Sequence, residues 1–306
     1  MISAIIPTYN RQAKLKETLA SCEKQTLAKE DFEVIVVDDG SNDGTGNFMH
    51  EFMKTGKINL IYLYIAHHGP ERARNFGVEK ANGDIILFCD DDTSLDKDLL
   101  KIHEAHHKQN SGSALLGLAL WDESGAVSDF MRYLAPAGPQ FHYHTIKNKI
   151  NAGFVHFYTC NISLAKKWLE LEKFDERLNY AFEDIDLGLR LEGRGLKIVF
   201  NPEAKVYHSH YYNEEKFGQR MERVGRSAVI FFDKYRNNKK ILSRLKRRYA
   251  PFTYFPGIKI FNRLSAFLAT AKLIKKINIK YYWFWHICYY YSLGMLKELK
   301  QKNGIK

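Results

Sequence analysis

The 306-residue chain has few cysteines, few prolines and no uncharged run of the roughly 20 residues that a spanning helix needs. Its four cysteines, Cys22, Cys89, Cys160 and Cys288, are far apart, with no CxxC or Cys/His zinc spacing. That excludes a disulfide scaffold and a zinc ribbon, and it matches usage in a reducing compartment. Seven prolines and the lack of any Gly/Ser-rich or Gln/Asn-rich tract exclude a collagenous or low-complexity chain. No basic segment or long apolar run opens the chain; Met-Ile-Ser-Ala-Ile-Ile-Pro reads as a strand, not a signal peptide. Walker loops, GxSxG elbows and CxxC pairs are also missing. What remains is ordinary globular usage, 45% apolar and 26% charged, which excludes wholesale disorder. The length suits one large domain with an appendage, or two small domains.

The scarcest feature is acid near the carboxyl end. Residues 234–306 hold 18 Lys and Arg against the single acid Glu298, a charge of +17. Residues 1–233 hold 28 against 34, a charge of −6, so the net +11 belongs to the tail. We expect a domain over 1–233 and a basic, aromatic-rich helical tail over 234–306. Such asymmetry points to an anionic partner, a membrane face or nucleic acid.

Short β-branched, apolar runs at 2–6, 32–37, 59–65, 85–89 and 114–120 read as buried strands. Helical patterns near 11–26, 43–54, 70–82 and 96–109 alternate with them, the signature of a parallel α/β sheet. Residues 121–160 read as loops and strands. Further on, a helix is expected at 183–193, short strands at 197–200 and 204–208, and a polar helix at about 213–236. In parallel α/β sheets ligands bind beyond the carboxyl ends of the strands, so the residues after each strand are the candidates.

In the tail, Ile260, Phe261, Leu264, Phe267, Leu268, Ala271 and Ile274 recur on one helical face, with Lys259, Arg263, Lys272, Lys275 and Lys276 largely elsewhere. The uncharged run 281–296 is 16 residues, shorter than the roughly 20 a spanning helix needs. Its tyrosines and tryptophans favour the headgroup level. The tail therefore reads as interfacial, against the plainer reading of a helical pair packed on the catalytic domain.

Four constellations carry chemistry. Asp90, Asp91 and Asp92 follow the fourth strand, where adjacent carboxylates are tolerated if a hard divalent cation offsets their repulsion. Strand alternation would put Asp90 and Asp92 on one side and Asp91 on the other; the plainer alternative is an acidic turn capping a helix. Asp38 and Asp39 follow the second strand, suited to a base N–H or ribose hydroxyl, or to their own turn. Glu183, Asp184 and Asp186 open a helix; one is a candidate general base, although acids there also favour the dipole. His208 and His210 would share a strand face, where one completes a metal site or both are structural.

The order of these motifs adds a further constraint. Ile5-Ile6-Pro7-Thr8-Tyr9-Asn10-Arg11, Val37-Asp38-Asp39-Gly40-Ser41, Ala73-Arg74-Asn75, Asn82-Gly83-Asp84, Asp90-Asp91-Asp92, Phe182-Glu183-Asp184-Ile185-Asp186 and Val206-Tyr207-His208 resemble, in sequence and spacing, the family 2 glycosyltransferases. The resemblance covers roughly residues 2–230. It implies a GT-A type α/β fold: a mostly parallel central sheet with flanking helices, a Rossmann-like nucleotide-binding half, and here a helical C-terminal extension. It implies inverting transfer from a nucleotide-sugar, with UDP commonest, to an acceptor hydroxyl of a glycan or lipid-linked acceptor. By that resemblance Pro7, Tyr9 and Asp39 line the nucleoside pocket, with Asp38 and Asp39 able to exchange roles. Arg74 lies near the nucleotide-sugar. Asp92 binds Mg²⁺ or Mn²⁺, Asp90 faces the ribose or the ion, and His208 (or His210) is a further metal ligand. Asp184 matches the family's catalytic base.

The expectation is then a metal-dependent enzyme of cell-surface polysaccharide or glycolipid synthesis. It would be cytoplasmic and peripheral on the inner face of the membrane, with no nucleic-acid partner. The competing reading is a non-catalytic nucleotide- or polyanion-binding module using the basic tail. A nucleotidyltransferase is disfavoured because Pro7-Thr8-Tyr9-Asn10 is not a Gly-rich phosphate loop.

Overall fold

A computed structural model describes residues 1–178, 180–249, 258–270, 275 and 278–303. These divide into two compact units. Met1–Ser128, Leu134–Arg177 and Glu183–Tyr211 form the first; Asp129–Tyr133, Leu178–Phe182 and Tyr212–Lys306 form the second.

The first unit is built on an eight-stranded sheet. β1 (Ile2–Thr8), β2 (Phe32–Asp38), β3 (Leu60–Tyr64) and β4 (Ile85–Cys89) run parallel in the order β3-β2-β1-β4. Their carboxyl ends, Thr8, Asp38, Tyr64 and Cys89, therefore share one edge. All seven residues of β2 are buried, as the unbroken apolar run leads one to expect of a strand covered on both faces. The connecting helices are α1 (Gln12–Cys22), α2 (Thr45–Met53) and α3 (Pro70–Lys80). α3 lies close on β1 because position 77 is glycine: a Cβ there would meet Ile5 Cγ2 at 2.7 Å.

The remaining half departs from the sequence expectation in three places. β5 (Thr93–Leu95) and β7 (Asn161–Ala165) are strands that apolar periodicity did not reveal. Both are short, and β7 carries polar Asn161 and Ser163, buried on α4 (Leu99–Gln109) by hydrogen bonds from His103 and His107. The two strands expected at 197–200 and 204–208 are one, β8 (Lys197–His208), with a register shift opposite Leu116 and Leu118 of β6 (Ser113–Trp121). β7 pairs antiparallel with both β4 and β6, and β5 antiparallel with β8, so the sheet is mostly parallel. α6 (Lys166–Leu171) and α7 (Glu183–Gly193) complete the helices of this unit, whereas all but the last residue of α5 (Asp129–Leu134) belongs to the second.

The second unit holds α8 (Glu214–Lys234), α9 (Lys239–Tyr249), α10 (Ile258–Thr270) and α11 (Ile279–Lys302). It takes in α8, upstream of the division expected from charge. α8 and α11 cross at two glycines. A Cβ on Gly225 would stand 2.0 Å from the Tyr291 carbonyl oxygen, and one on Gly294 1.8 Å from that of Glu222. Around this crossing Phe217, Phe231, Ile287, Tyr291 and Met295 are all 2% exposed or less. Trp283 Nε1 donates to Glu214 at 2.8 Å, and Lys297 and Lys302 pair with Glu222 and Asp233.

Of the aromatics in the run 281–296, Trp283 and Tyr291 are buried within this unit, Tyr281 is exposed and the others are part-buried. No described helix is long and apolar enough to cross a membrane. Ala271, Ile274, Lys272 and Lys276 of the expected amphipathic face lie outside the described residues.

Gly294→Ala should destabilise this unit by about 3 kcal/mol, since the clash is with backbone and no rotamer relieves it. At an ordinary mid-helix glycine the same change gains about 1 kcal/mol, so the sign of the shift in a urea melt decides whether the backbones touch here.

Candidate active site

At the carboxyl edge of the parallel strands two clusters meet. The first gathers Pro7, Tyr9 and Asp39. Pro7 pairs with Val37 across β1 and β2, and Asp39 N donates to the Thr8 carbonyl at 2.9 Å. Asp39 accepts from His68 N at 2.9 Å and Gly69 N at 2.8 Å, and its Oδ2 lies 2.8 Å from His67 Nδ1. The His67 ring in turn stacks on half-exposed Tyr9, centroids 4.0 Å apart and planes at 19°. The pair makes an aromatic platform beside a carboxylate that keeps lone pairs to spare. Asp38 is fully buried, accepting from Ser41 N and Tyr62 Oη. The geometry therefore separates the two acids: Asp38 fixes the turn and Asp39 faces the platform.

The second cluster is acidic. β4 ends at Cys89, so Asp90, Asp91 and Asp92 lie in a turn and not on alternating strand faces. One Arg11 nitrogen, Nη1, reaches both Asp91 Oδ1 (3.0 Å) and Asp92 Oδ2 (2.9 Å), which the alternation argument excluded. Asp91 also accepts from Thr8 Oγ1. Asp92 meets both histidines, His208 Nδ1 at 3.4 Å from Oδ1 and His210 Nδ1 at 2.9 Å from Oδ2. Asp90 meets Arg74 Nη2 at 3.4 Å. Arg74 is 5% exposed, and its Nη1 lies 3.5 Å from Glu183 Oε1, which brings the start of α7 to the site. The expected residues Asp90, Asp92, Arg74, Asp184 and His208 thus come together, and His210 with them.

The electrostatics follow from burial. Against Arg11 and Arg74 stand Asp90, Asp91, Asp92, Glu71, Glu183 and Asp184. Burial pushes Asp184 well above the usual carboxylate range, with Glu183 adding repulsion. Burial raises Asp91 to about 7, although Arg11 opposes it. Asp92 goes the other way: burial disfavours its charge, but His208 and His210 hold it well below the ordinary range.

These residues fit a hard divalent cation. Asp92, His208 and His210, and likewise Asp90, Cys160 and His208, present donor atoms within 4.8 Å of one another. His208 is 4% exposed, and neither of its ring nitrogens makes a hydrogen bond. A buried imidazole costs stability unless something takes its lone pair. Carboxylate and imidazole together suit manganese, with magnesium served by the carboxylates.

Sequence reasoning missed Arg11, His67 and Glu71 as site residues. Arg11 sat inside a quoted motif, but its reach across some eighty positions carries no local signal. Glu71, second residue of α3, is 1% exposed with neither carboxylate oxygen hydrogen-bonded. Burial and then Glu183 push it up to about 8. An acid raised above its unfolded value of about 4.3 gives stability that is whole below that value and lost as pH rises through the folded one. In EDTA, Glu71→Gln should flatten the fall in stability between pH 5 and 8, where one such group contributes at most about 1.4 kcal/mol per pH unit. Urea melts across that range check it; an unchanged slope would assign the fall elsewhere.

Comparison with known proteins places the fold and the lineage. The family model "Glycosyl transferase family 2" matches residues 3–170, more than half the chain. A validoxylamine A glucosyltransferase of Streptomyces hygroscopicus subsp. limoneus is 25% identical over 228 residues, 67% of this chain. The chain spans half the length of that relative. Among solved structures, Staphylococcus aureus TarS 1–349 with UDP-GlcNAc aligns over 99% of this chain and 92% of its own, TM-score 0.60 at 20% identity. The mannosyltransferase PcManGT of Pyrobaculum calidifontis, with GDP-Man and Mn²⁺, aligns over 98% and 87%, TM-score 0.65 at 16% identity. The sheet at whose carboxyl edge Asp39, Asp90 and Asp92 lie is therefore of GT-A type, and the chain belongs to glycosyl transferase family 2.

Proposed function

We propose that the chain is an inverting, metal-dependent glycosyltransferase that moves a sugar from a nucleoside-diphosphate sugar, a UDP-sugar first, to an acceptor hydroxyl. The observation that carries this is buried His208, its ring nitrogens without hydrogen bonds, grouped with Asp92 and Asp90 next to Arg74 and Asp184. Tyr9 and His67 would stack the base, with Pro7 and Asp39 framing the nucleoside. Asp90, Asp92 and His208 would hold Mg²⁺ or Mn²⁺. When bound, the ion supplies Lewis-acid stabilisation for the departing diphosphate.

The chain's own groups do the rest. Arg74, buried and cationic between Asp90 and Glu183, places positive charge next to the donor's negative charge. Asp184 takes the proton of the acceptor hydroxyl as it attacks the face opposite the leaving group; one base suffices for inversion. Its burial makes it a stronger base than an exposed aspartate. Arg11 holds Asp91 and Asp92 in place from its half-exposed position.

The acceptor we favour is a glycan or lipid-linked sugar of cell-surface polysaccharide or glycolipid synthesis, met by a peripheral enzyme on the inner, anionic membrane face. The +17 tail supports this. The polyanion-binding alternative leaves the carboxylate–histidine group without a purpose. A nucleotide-sugar panel read by thermal shift, with and without Mn²⁺, tests the reading. A Mn²⁺-dependent shift with at least one donor is expected, and no shift with any would remove it.

A further inference from the structure

One side chain of the carboxyl edge has no part in the function proposed above, and it is a thiol. β4 and β7 pair antiparallel with Cys89 opposite Asn161, so Asp90 and Cys160 are the next residues past that pair. β8 delivers His208 as its last residue. One donor atom from each of Asp90, Cys160 and His208 lies within 4.8 Å of the other two. Cys160 forms no disulfide and is 5% exposed. His208 is 4% exposed, and neither of its ring nitrogens is hydrogen-bonded, so a buried imidazole brings an uncommitted lone pair to the group. Asp90 keeps 31% of its side chain in solvent, which leaves an ion a way in.

We infer that Asp90, Cys160 and His208 form a Zn²⁺ site, an alternative to the Mg²⁺ or Mn²⁺ arrangement and exclusive of it because the two share Asp90 and His208. The zinc site needs only these three side chains; its consequence, competition with Mn²⁺, rests on the function proposed above. Mg²⁺ and Mn²⁺ are hard ions that prefer oxygen and gain nothing from sulfur. Thiolate, imidazole and carboxylate together are zinc ligands, and three from the protein leave a fourth position for water. As the Zn–S bond forms, the thiol proton leaves to solvent, since only the thiolate binds the metal. The charges then cancel: a dication meets one carboxylate and one thiolate, and a neutral group is the least costly to bury. A given N/O/S site holds Zn²⁺ more tightly than Mn²⁺, so free zinc ion would restrain the enzyme at its own metal centre.

Co²⁺ is the probe, because a thiolate bound to it gives a near-ultraviolet charge-transfer band. The full chain with one equivalent of Co²⁺ should show that band, and Zn²⁺ should erase it. X-ray absorption fine structure of the Zn²⁺-loaded chain should show one sulfur at about 2.3 Å. Cys160→Ser should lose the band and bind Zn²⁺ at least about tenfold more weakly, the scale on which even outer partners of a metal site count. Near-ultraviolet dichroism checks that the variant folds, and the sulfur shell of the parent decides the question without it. Titrating Mn²⁺ in the presence of UDP should give a dissociation constant raised at least tenfold by one equivalent of Zn²⁺ in the parent, and raised less in Cys160→Ser. Zn²⁺ bound without sulfur, or a cobalt band that survives in Cys160→Ser, would overturn the site. Zn²⁺ bound through sulfur with Mn²⁺ affinity unchanged would overturn the exclusion. If Mn²⁺ and UDP do not bind at all, the proposed function falls, while the cobalt band and the sulfur shell still decide the zinc site.

Discussion

Asp184→Asn should lower transfer by about 10³-fold, within the range for loss of a general base, while changing donor affinity by no more than a few-fold. Asparagine keeps the shape and can still accept from Ile185 N, as Asp184 Oδ1 does at 2.7 Å, but it cannot take a proton. The residue opens α7 where burial and Glu183 both disfavour its charge. The sign for activity follows: the base works only when deprotonated, so the rate must rise with pH through its pKa, and that limb should lie above the range of an exposed aspartate. In the variant the limb should vanish with the activity. Measuring kcat beside the dissociation constant for the donor separates the roles, because a residue that held the donor would move both. Full activity in the variant would move the base to another carboxylate, with Glu183 the nearest.

Asp92→Asn should cost transfer about 10²–10³-fold, the scale of removing one preorganised charge partner, and should abolish the Mn²⁺-dependent part of donor binding. Asp92 is where the two histidines and Arg11 converge, so its charge is the most strongly enforced in the site. The histidines then divide. His208 is buried with neither ring nitrogen hydrogen-bonded, whereas His210 Nδ1 stands 2.9 Å from Asp92. His208→Gln should therefore lose the Mn²⁺ response, while His210→Gln should keep it and shift it by less than tenfold. Isothermal titration of Mn²⁺ in the presence of nucleotide reads both; the reverse pattern would make His210 the ligand and His208 its support.

The parallel half of the sheet was legible because buried parallel strands are written as unbroken apolar runs, and β1, β2, β3 and β4 each appear as one. The residues after those strands gave Asp39, Asp90 and Asp92 for the same reason. β7 was not legible, since its buried polar Asn161 and Ser163 are satisfied by histidines some sixty positions away. Arg11 was likewise hidden, because its partners Asp91 and Asp92 are distant in sequence. The tail shows the limit of hydropathy most clearly. Pattern found two apolar helical stretches, but which one is covered depended on Gly225 and Gly294, whose missing side chains let α8 and α11 touch. So Trp283 and Tyr291 of the aromatic run are buried, while Ile260, Leu264 and Phe267 of α10 are exposed.

The most direct test is release of nucleoside diphosphate from a panel of nucleotide-sugars, with and without Mn²⁺, by the parent chain and by Asp184→Asn. At least one donor should be turned over in a Mn²⁺-dependent way by the parent and about 10³-fold more slowly by the variant. Absence of turnover and of nucleotide binding across the panel, with Mn²⁺ present, would contradict the assignment of a metal-dependent glycosyltransferase.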